Sequence, residues 1–163
     1  MIVVTDTSVI LNLSWLSLES LLPAIFQSIL APEQVKREFE RKADTDPRFL
    51  GLQFPAFITV ADPTIIPSDL SDNADLDPGE IAAIALALER GIADVLIDES
   101  YGRAAALAHG LHVSGLLGVL IEGKQRRLIP NLLPLLDRLA GGARFWMHPR
   151  LREHVLSVAG EEP

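Results

Sequence analysis

Short, continuous apolar runs alternate along the chain with longer stretches that repeat apolar positions at helical spacing. Ile2–Thr5 is continuously apolar and β-branched until its last residue, which predicts a buried parallel strand covered on both faces. From Ser8 to about Ile29 the apolar character persists and predicts helix in pieces, broken near Pro23. Ser28–Ala31 reads as a second strand, and Pro32 with Glu33 opens a helix. Val35 and Phe39, four apart, give that helix one inward face. Its other positions carry mixed charge and allow the i,i+4 pairs Glu33/Arg37 and Glu38/Lys42. "FITVAD" at 57–62 predicts a third strand within a long connection rich in Pro, Asp and Ser.

"DPGEIAAIALALERG" carries a complete set of helix signals. Asp77 caps, Pro78 takes the first position, Glu80 completes a capping box and Gly91 marks the end. "ADVLIDES" then supplies a strand that ends in acids, Tyr101–His109 a helix, and "LHVSG" a very short strand. "LLGVLIEGKQRRLI" and "NLLPLLDRLAGG" predict two more helices. "ARFWMHPRLREHVLSVAGEEP" predicts an extended piece, a last helix and a frayed tail. Strands alternating with helices imply one α/β domain, with a small, mainly parallel sheet covered on both faces.

Composition narrows the chemistry. The 163 residues include no cysteine, which excludes disulfides, thiol catalysis and thiolate metal sites. No apolar run reaches membrane-spanning length and no basic leader precedes a targeting segment, so the expected location is cytoplasmic. A net charge of −8 argues against broad, nonspecific binding to a polyanion. Small basic patches remain at Lys36, Arg37, Arg41 and Lys42 and at Lys124, Arg126 and Arg127. His109 and His112 have no fixed third ligand to make a zinc site, and the phosphate-loop pattern is absent. Trp15, Trp146 and the Phe residues read as core or interface anchors rather than as base-stacking platforms.

The carboxylates raise a sharper question. In an open α/β sheet, ligand sites lie beyond the carboxyl ends of the strands. Asp6 follows the first strand, and Asp98 and Glu99 close "DVLID". Glu38 borders the buried face of its helix, and Glu80 lies in the first turn of an apolar one. Each has a structural explanation: Asp6 as a helix cap, Glu38 as partner of Lys42, Glu80 as capping-box residue, and Asp98 or Glu99 as cap of the helix near Ser100. Gathered in one cleft they would repel unless a cation neutralised them. A hard divalent ion with oxygen ligands suits such a set.

"VVTDTSVILNL", "APEQVKRE", "LDPGEIAAIALA" and "VLIDESYGRAAALAHGLHVSGLLGVL", in that order and spacing, resemble the PIN-domain family. Within that family they resemble the toxin-type ribonucleases of prokaryotic toxin–antitoxin systems. It spans residues 1–150, with 151–163 expected as a C-terminal helix and tail on the same domain. It implies a three-layer α/β/α fold and a metal-dependent endoribonuclease that uses Mg²⁺ or Mn²⁺. The acids of the family pocket correspond here to Asp6, Glu38, Glu80 and the Asp98/Glu99 pair. Asp6 with Asp98 or Glu99 would hold the metal, Glu80 would complete the shell, and Glu38 would position water or a second ion. Thr5 and Ser8 are hydroxyl supports, and Arg103 is a phosphate contact or a partner of Glu99. Glu80 stands where many relatives carry aspartate, so its longer arm changes the metal geometry.

Two other functions compete: a catalytically silent PIN-like interaction module, and a metal-dependent phosphatase acting on small molecules. The resemblance also implies a homodimer and a cognate antitoxin-like inhibitor protein. "LNLSWLSLESLLPAIF" and "LIPNLLPLLDRL" carry more Leu and Ile than one small sheet obviously needs, which puts the expected dimer contact near Trp15 and Leu18.

Overall fold

The computed structural model describes residues 1–162. Its elements, in order, are β1 (Ile2–Thr5), α1 (Thr7–Trp15), α2 (Leu21–Ile25), β2 (Ser28–Ala31), α3 (Glu33–Thr45), β3 (Ile58–Val60) and α4 (Ser68–Ser71). They continue with α5 (Pro78–Arg90), β4 (Asp94–Leu96), α6 (Ser100–Ala108), β5 (His112–Ser114), α7 (Leu116–Gln125), α8 (Leu133–Gly141) and α9 (Pro149–Val158). The strands form one five-stranded sheet in the order β3-β2-β1-β4-β5. Every pairing is parallel.

Two cores cover the sheet, as the period of a strand requires. Val3, Ile29 and Leu96 point to one face and join α1, α2, α3, α7, α8 and α9. Val4, Leu30 and Val95 point to the other and join α4, α5 and α6. The order of strands reverses direction between β1 and β4, where Thr5 lies level with Leu96. That switch point opens a crevice at the carboxyl ends of the two strands.

The helix starts and stops follow the sequence signals closely. Asp77 and Glu80 form the reciprocal capping box, Pro78 begins α5 and Gly91 ends it in the left-handed conformation, at φ 64°. Pro32 takes the N-cap of α3 rather than its first turn.

Several expectations are corrected. The break in the first helical stretch lies at Ser17, with φ 57°, while Pro23 sits inside the first turn of α2. The third strand stops at Val60, which frees Asp62 to accept the Glu33 amide at 2.9 Å and support the start of α3. The helix from Leu116 ends at Gln125, short of the predicted Ile129. Glu38 does not pair with Lys42; its partners are Thr7 and Gln34.

The surplus of leucine is absorbed largely by this chain. Leu16, Leu21, Leu22, Ile25, Ile129, Leu132, Leu136 and Leu139 are all buried in the first core. Leu18 is partly buried against it. Trp15 packs so closely under Gly142 that a Cβ there would meet its ring at 2.5 Å, and the Arg138 guanidinium lies 5.5 Å from the ring centroid.

The chain end is fastened by one carboxylate. Glu161 accepts from Lys124 Nζ at 2.7 Å and from the amides of Leu132 and Leu133 at 2.7 and 3.1 Å. Burial opposes its charge, but Lys124 and the two amides outweigh that and hold its carboxyl below the usual range. Glu161→Ala leaves a half-buried ammonium and the two amides unpaired. It is expected to lower unfolding stability by about 2–3 kcal/mol in urea titration. An unchanged midpoint would show that the tail lies outside the cooperative unit.

Candidate active site at the strand ends

Asp6 follows β1 directly and lies at the switch point, only 3% exposed. Its Oδ1 accepts the Val9 amide at 3.0 Å, which caps α1, and its Oδ2 accepts the Asp98 amide at 3.3 Å. One carboxylate therefore binds the start of a helix and the end of the neighbouring strand. Burial, with the nearby Asp98 charge adding to it, pushes the Asp6 carboxyl well above the usual range despite these two amides.

Asp98 turns inward from the end of β4. Its Oδ1 accepts the Leu116 amide at 2.9 Å at the start of α7, and its buried Oδ2 has no hydrogen-bond partner. Burial raises this carboxyl as well, opposed by the Leu116 amide and the Arg103 charge. The sequence allowed Asp98 or Glu99 as cap of the helix at Ser100. Asp98 instead serves α7, and Glu99 occupies the N-cap position of α6 without a side-chain bond. Glu99 is exposed and lies at the mouth of the crevice. Arg103 donates to the Ile97 carbonyl at 2.9 Å and makes no ion pair with Glu99 among the described residues.

Glu80 serves more than its capping box. Its Oε1 accepts the Asp77 amide at 3.1 Å, whereas Oε2 is buried and without a partner. Burial pushes its carboxyl up to about 7; the Asp77 amide opposes this and the Asp77 charge adds to it. Glu38 lies across from it. Its Oε2 accepts from the Thr7 hydroxyl at 2.8 Å, and its Oε1 accepts from Gln34 at 3.2 Å.

Three of these carboxylates rest directly on glycines in helix first turns or caps. A Cβ at Gly79 would meet Glu38 Oε2, one at Gly102 would overlap Glu80 Oε2, and one at Gly115 would overlap Asp98 Oδ1. The acids therefore gather at the N-terminal ends of α1, α5, α6 and α7. Free amides and the positive ends of helix dipoles favour negative charge there. Glycines 79, 102 and 115 are the signal that single-sequence reading did not use. Thr7 was also missed in favour of Thr5 and Ser8. The Thr5 hydroxyl bonds the Asp6 carbonyl rather than its carboxylate, whereas the Ser8 hydroxyl, on the crevice wall, supports the neighbouring Asp98 carboxylate and lowers its carboxyl against burial.

A cavity of about 420 Å³ opens beside Asp98 and Glu99, bounded by Ser8, Asn12, Ser100, Lys42, Arg48 and Arg144. Arg48 and Arg144 were not picked out from the sequence, because each reaches the rim from a connection distant in the chain. Trp146 also lines this cavity and is 78% exposed, which removes the core half of the expected core-or-interface role.

Residues 2–161 match the PIN-domain family DUF3368. The chain belongs to the PIN-domain family. No curated protein and no solved structure gives a significant match. PIN domains are generally nucleases and typically bind divalent metals. In this PIN domain no three His, Cys, Asp or Glu side chains among the described residues are placed to hold a metal ion together. The donor set nevertheless fits a hard cation. All the ligand atoms on offer are carboxylate oxygens, and two of them, on Glu80 and Asp98, are buried without partners. Mg²⁺ commonly takes one or two carboxylates and keeps several waters, which asks for no closed protein cage.

Because the Glu80 carboxyl is raised from 4.5 to about 7, the folded metal-free protein binds this proton more tightly than the unfolded chain. The resulting stability is fully present below the unfolded value and is lost as pH rises through about 7. Glu80→Gln keeps the acceptor of the capping box and removes the titration. In EDTA, wild type is expected to lose on the order of 1–3 kcal/mol more than Glu80→Gln between about pH 5 and pH 8. Parallel pH profiles in thermal or urea unfolding would contradict a proton held at Glu80.

Proposed function

We propose that this PIN domain is a cytoplasmic, metal-dependent endoribonuclease that hydrolyses RNA phosphodiesters at the crevice between β1 and β4. The observation that supports it most is the meeting of Asp6 and Asp98 at the switch point, with unpartnered buried oxygens on Asp98 and Glu80. An unsatisfied buried carboxylate oxygen costs stability, and a cation held by these two oxygens would offset that cost.

Asp6, Asp98 and Glu80 are the residues that would hold Mg²⁺ or Mn²⁺, with Glu99 at the mouth able to join through water. The cation supplies charge neutralisation and a water of lowered pKa at the phosphodiester. Asp6 is immobilised by two amides, so its position is set before any ligand arrives. Glu38, fixed by Thr7 and Gln34, orients the attacking water from the α3 side. Lys42 and Arg144 at the rim attract the phosphate against the overall negative charge of the chain. Hydrolysis breaks one P–O bond, the water oxygen joins phosphorus, and the departing sugar oxygen takes a proton. A toxin-type role, with a second copy of the chain and a small inhibitor protein as partners, belongs to the same reading and rests on the resemblance alone.

Asp6→Asn retains an acceptor for the Val9 amide, loses the one for the Asp98 amide and removes the central charge. RNA cleavage in Mg²⁺ or Mn²⁺ is expected to fall by about 100-fold or more, with the circular-dichroism spectrum unchanged. Wild-type cleavage by Asp6→Asn would remove Asp6 from the chemistry. A wild-type protein inert toward RNA in both metals would favour the silent interaction module, and hydrolysis confined to small phosphate esters would favour the phosphatase.

A further inference from the structure

The connection between α8 and α9 has no regular secondary structure, yet it is held at several points. The Ala143 carbonyl accepts from Arg48 Nη1 at 3.0 Å, and Arg48 is itself clamped on Asp46 at 2.7 Å. The Phe145 amide bonds the Leu139 carbonyl at 2.9 Å. Arg144 sits at φ 54°, a left-handed conformation uncommon for a residue with a side chain. On this restrained segment Trp146 is 78% exposed, more than any other large apolar residue described. Its indole meets the His148 ring edge to face, with centroids 6.1 Å apart. A tryptophan held in water on an anchored strap is unusual, since its large apolar surface gains most from being covered.

Its surroundings indicate what covers it. Trp146 borders the same 420 Å³ cavity as Asp98, Glu99 and Ser100, so the indole stands at the entrance to the acid cluster. Arg144 and Lys42 line that cavity too, and neither has an ion-pair partner among the described residues. Both recur in an adjoining open groove with Arg41 and Arg48. In a chain of net charge −8, this places cations and an exposed aromatic face beside the carboxylates of the crevice. Two open cations select an anionic ligand, and the aromatic face selects one with a flat, unstacked ring. Single-stranded nucleic acid presents both at every nucleotide, whereas a duplex keeps its base faces stacked.

We propose that Trp146 is the base-stacking platform of a single-stranded RNA subsite. Arg144 and Lys42 take the flanking phosphate, so that the next phosphodiester is presented to the crevice. This deepens the ribonuclease reading and rests on it for the identity of the strand. Trp146 acts here in binding and positioning.

The test measures binding of the full chain in EDTA, without cleavage, to a fluorescent single-stranded oligoribonucleotide of about ten residues and to the matching duplex. Stacking on an aromatic side chain is worth about 1–3 kcal/mol per base, so Trp146→Ala is expected to weaken the single strand by about 5- to 150-fold. Trp146→Phe should recover most of that affinity, which a mere loss of folding would not allow. Arg144→Ala should weaken binding and make its salt dependence shallower by about one ion. Unchanged single-strand affinity in Trp146→Ala overturns the proposal. So does an equal loss for strand and duplex, and so does a wild-type protein that binds no strand at micromolar concentration. Cleavage by wild type in Mn²⁺ is read separately. A strand that binds through Trp146 but is never cut overturns the nuclease reading and leaves the platform. A strand that is cut while Trp146→Ala binds normally does the reverse.

Discussion

The Asp6 carboxylate is held by two backbone amides that belong to different elements, and much of the site depends on that double attachment. One amide, from Val9, fixes the start of α1; the other, from Asp98, fixes the end of β4. Parallel pairing of β1 with β4 brings these groups into range, and the reversal of strand order there leaves the space above them open. Fixing the start of α1 also places Thr7, whose hydroxyl holds Glu38 on α3. It places Ser8 and Asn12 on the wall of the crevice as well. A single short side chain thus joins the sheet to three of the surrounding helices: α1 directly, α3 through Thr7, and α7 through Asp98.

Such an arrangement carries an electrostatic cost. Asp6, Asp98 and Glu80 are each pushed toward the protonated form, in every case chiefly by burial. Backbone amides of Val9, Asp77 and Leu116, at the starts of α1, α5 and α7, offset part of the cost, as helix N-termini do for anions. The remainder calls for protons or a cation. The Arg103 charge favours the ionised form of Asp98, but its hydrogen bond goes to the Ile97 carbonyl rather than to a carboxylate. A divalent ion would neutralise all three acids at once, and the unpartnered oxygens of Glu80 and Asp98 would then have a ligand to hold.

The fold was legible because its signals are local. Residues 2–5 and 28–31 are short and largely apolar, stopped by Asp6 and Pro32, and both form strands over those ranges. Asp77, Pro78, Glu80 and Gly91 each act within one helical turn, so their spacing specified α5 almost residue for residue. The candidate acids were found for a related reason: they follow strand ends or begin helices, which sequence period can locate. What sequence did not show depends on long-range meeting. Whether Asp98 or Glu99 turns inward is decided by the Leu116 amide, eighteen residues away from Asp98. Arg48 meets the Ala143 carbonyl across 95 residues, and that contact helps form the basic rim. Trp146 read as an anchor because indoles usually are buried, and only the packing of the strap around it leaves this one in water.

The central claim is that the acids at the β1–β4 switch point form a cation site. Crystals of the full chain soaked in Mn²⁺ would locate the ion directly by its anomalous scattering. The account predicts one peak touching carboxylate oxygens of both Asp6 and Asp98, with Glu80 bound directly or through water. A saturating soak that leaves the crevice without a peak, or places the ion away from Asp6, would contradict it.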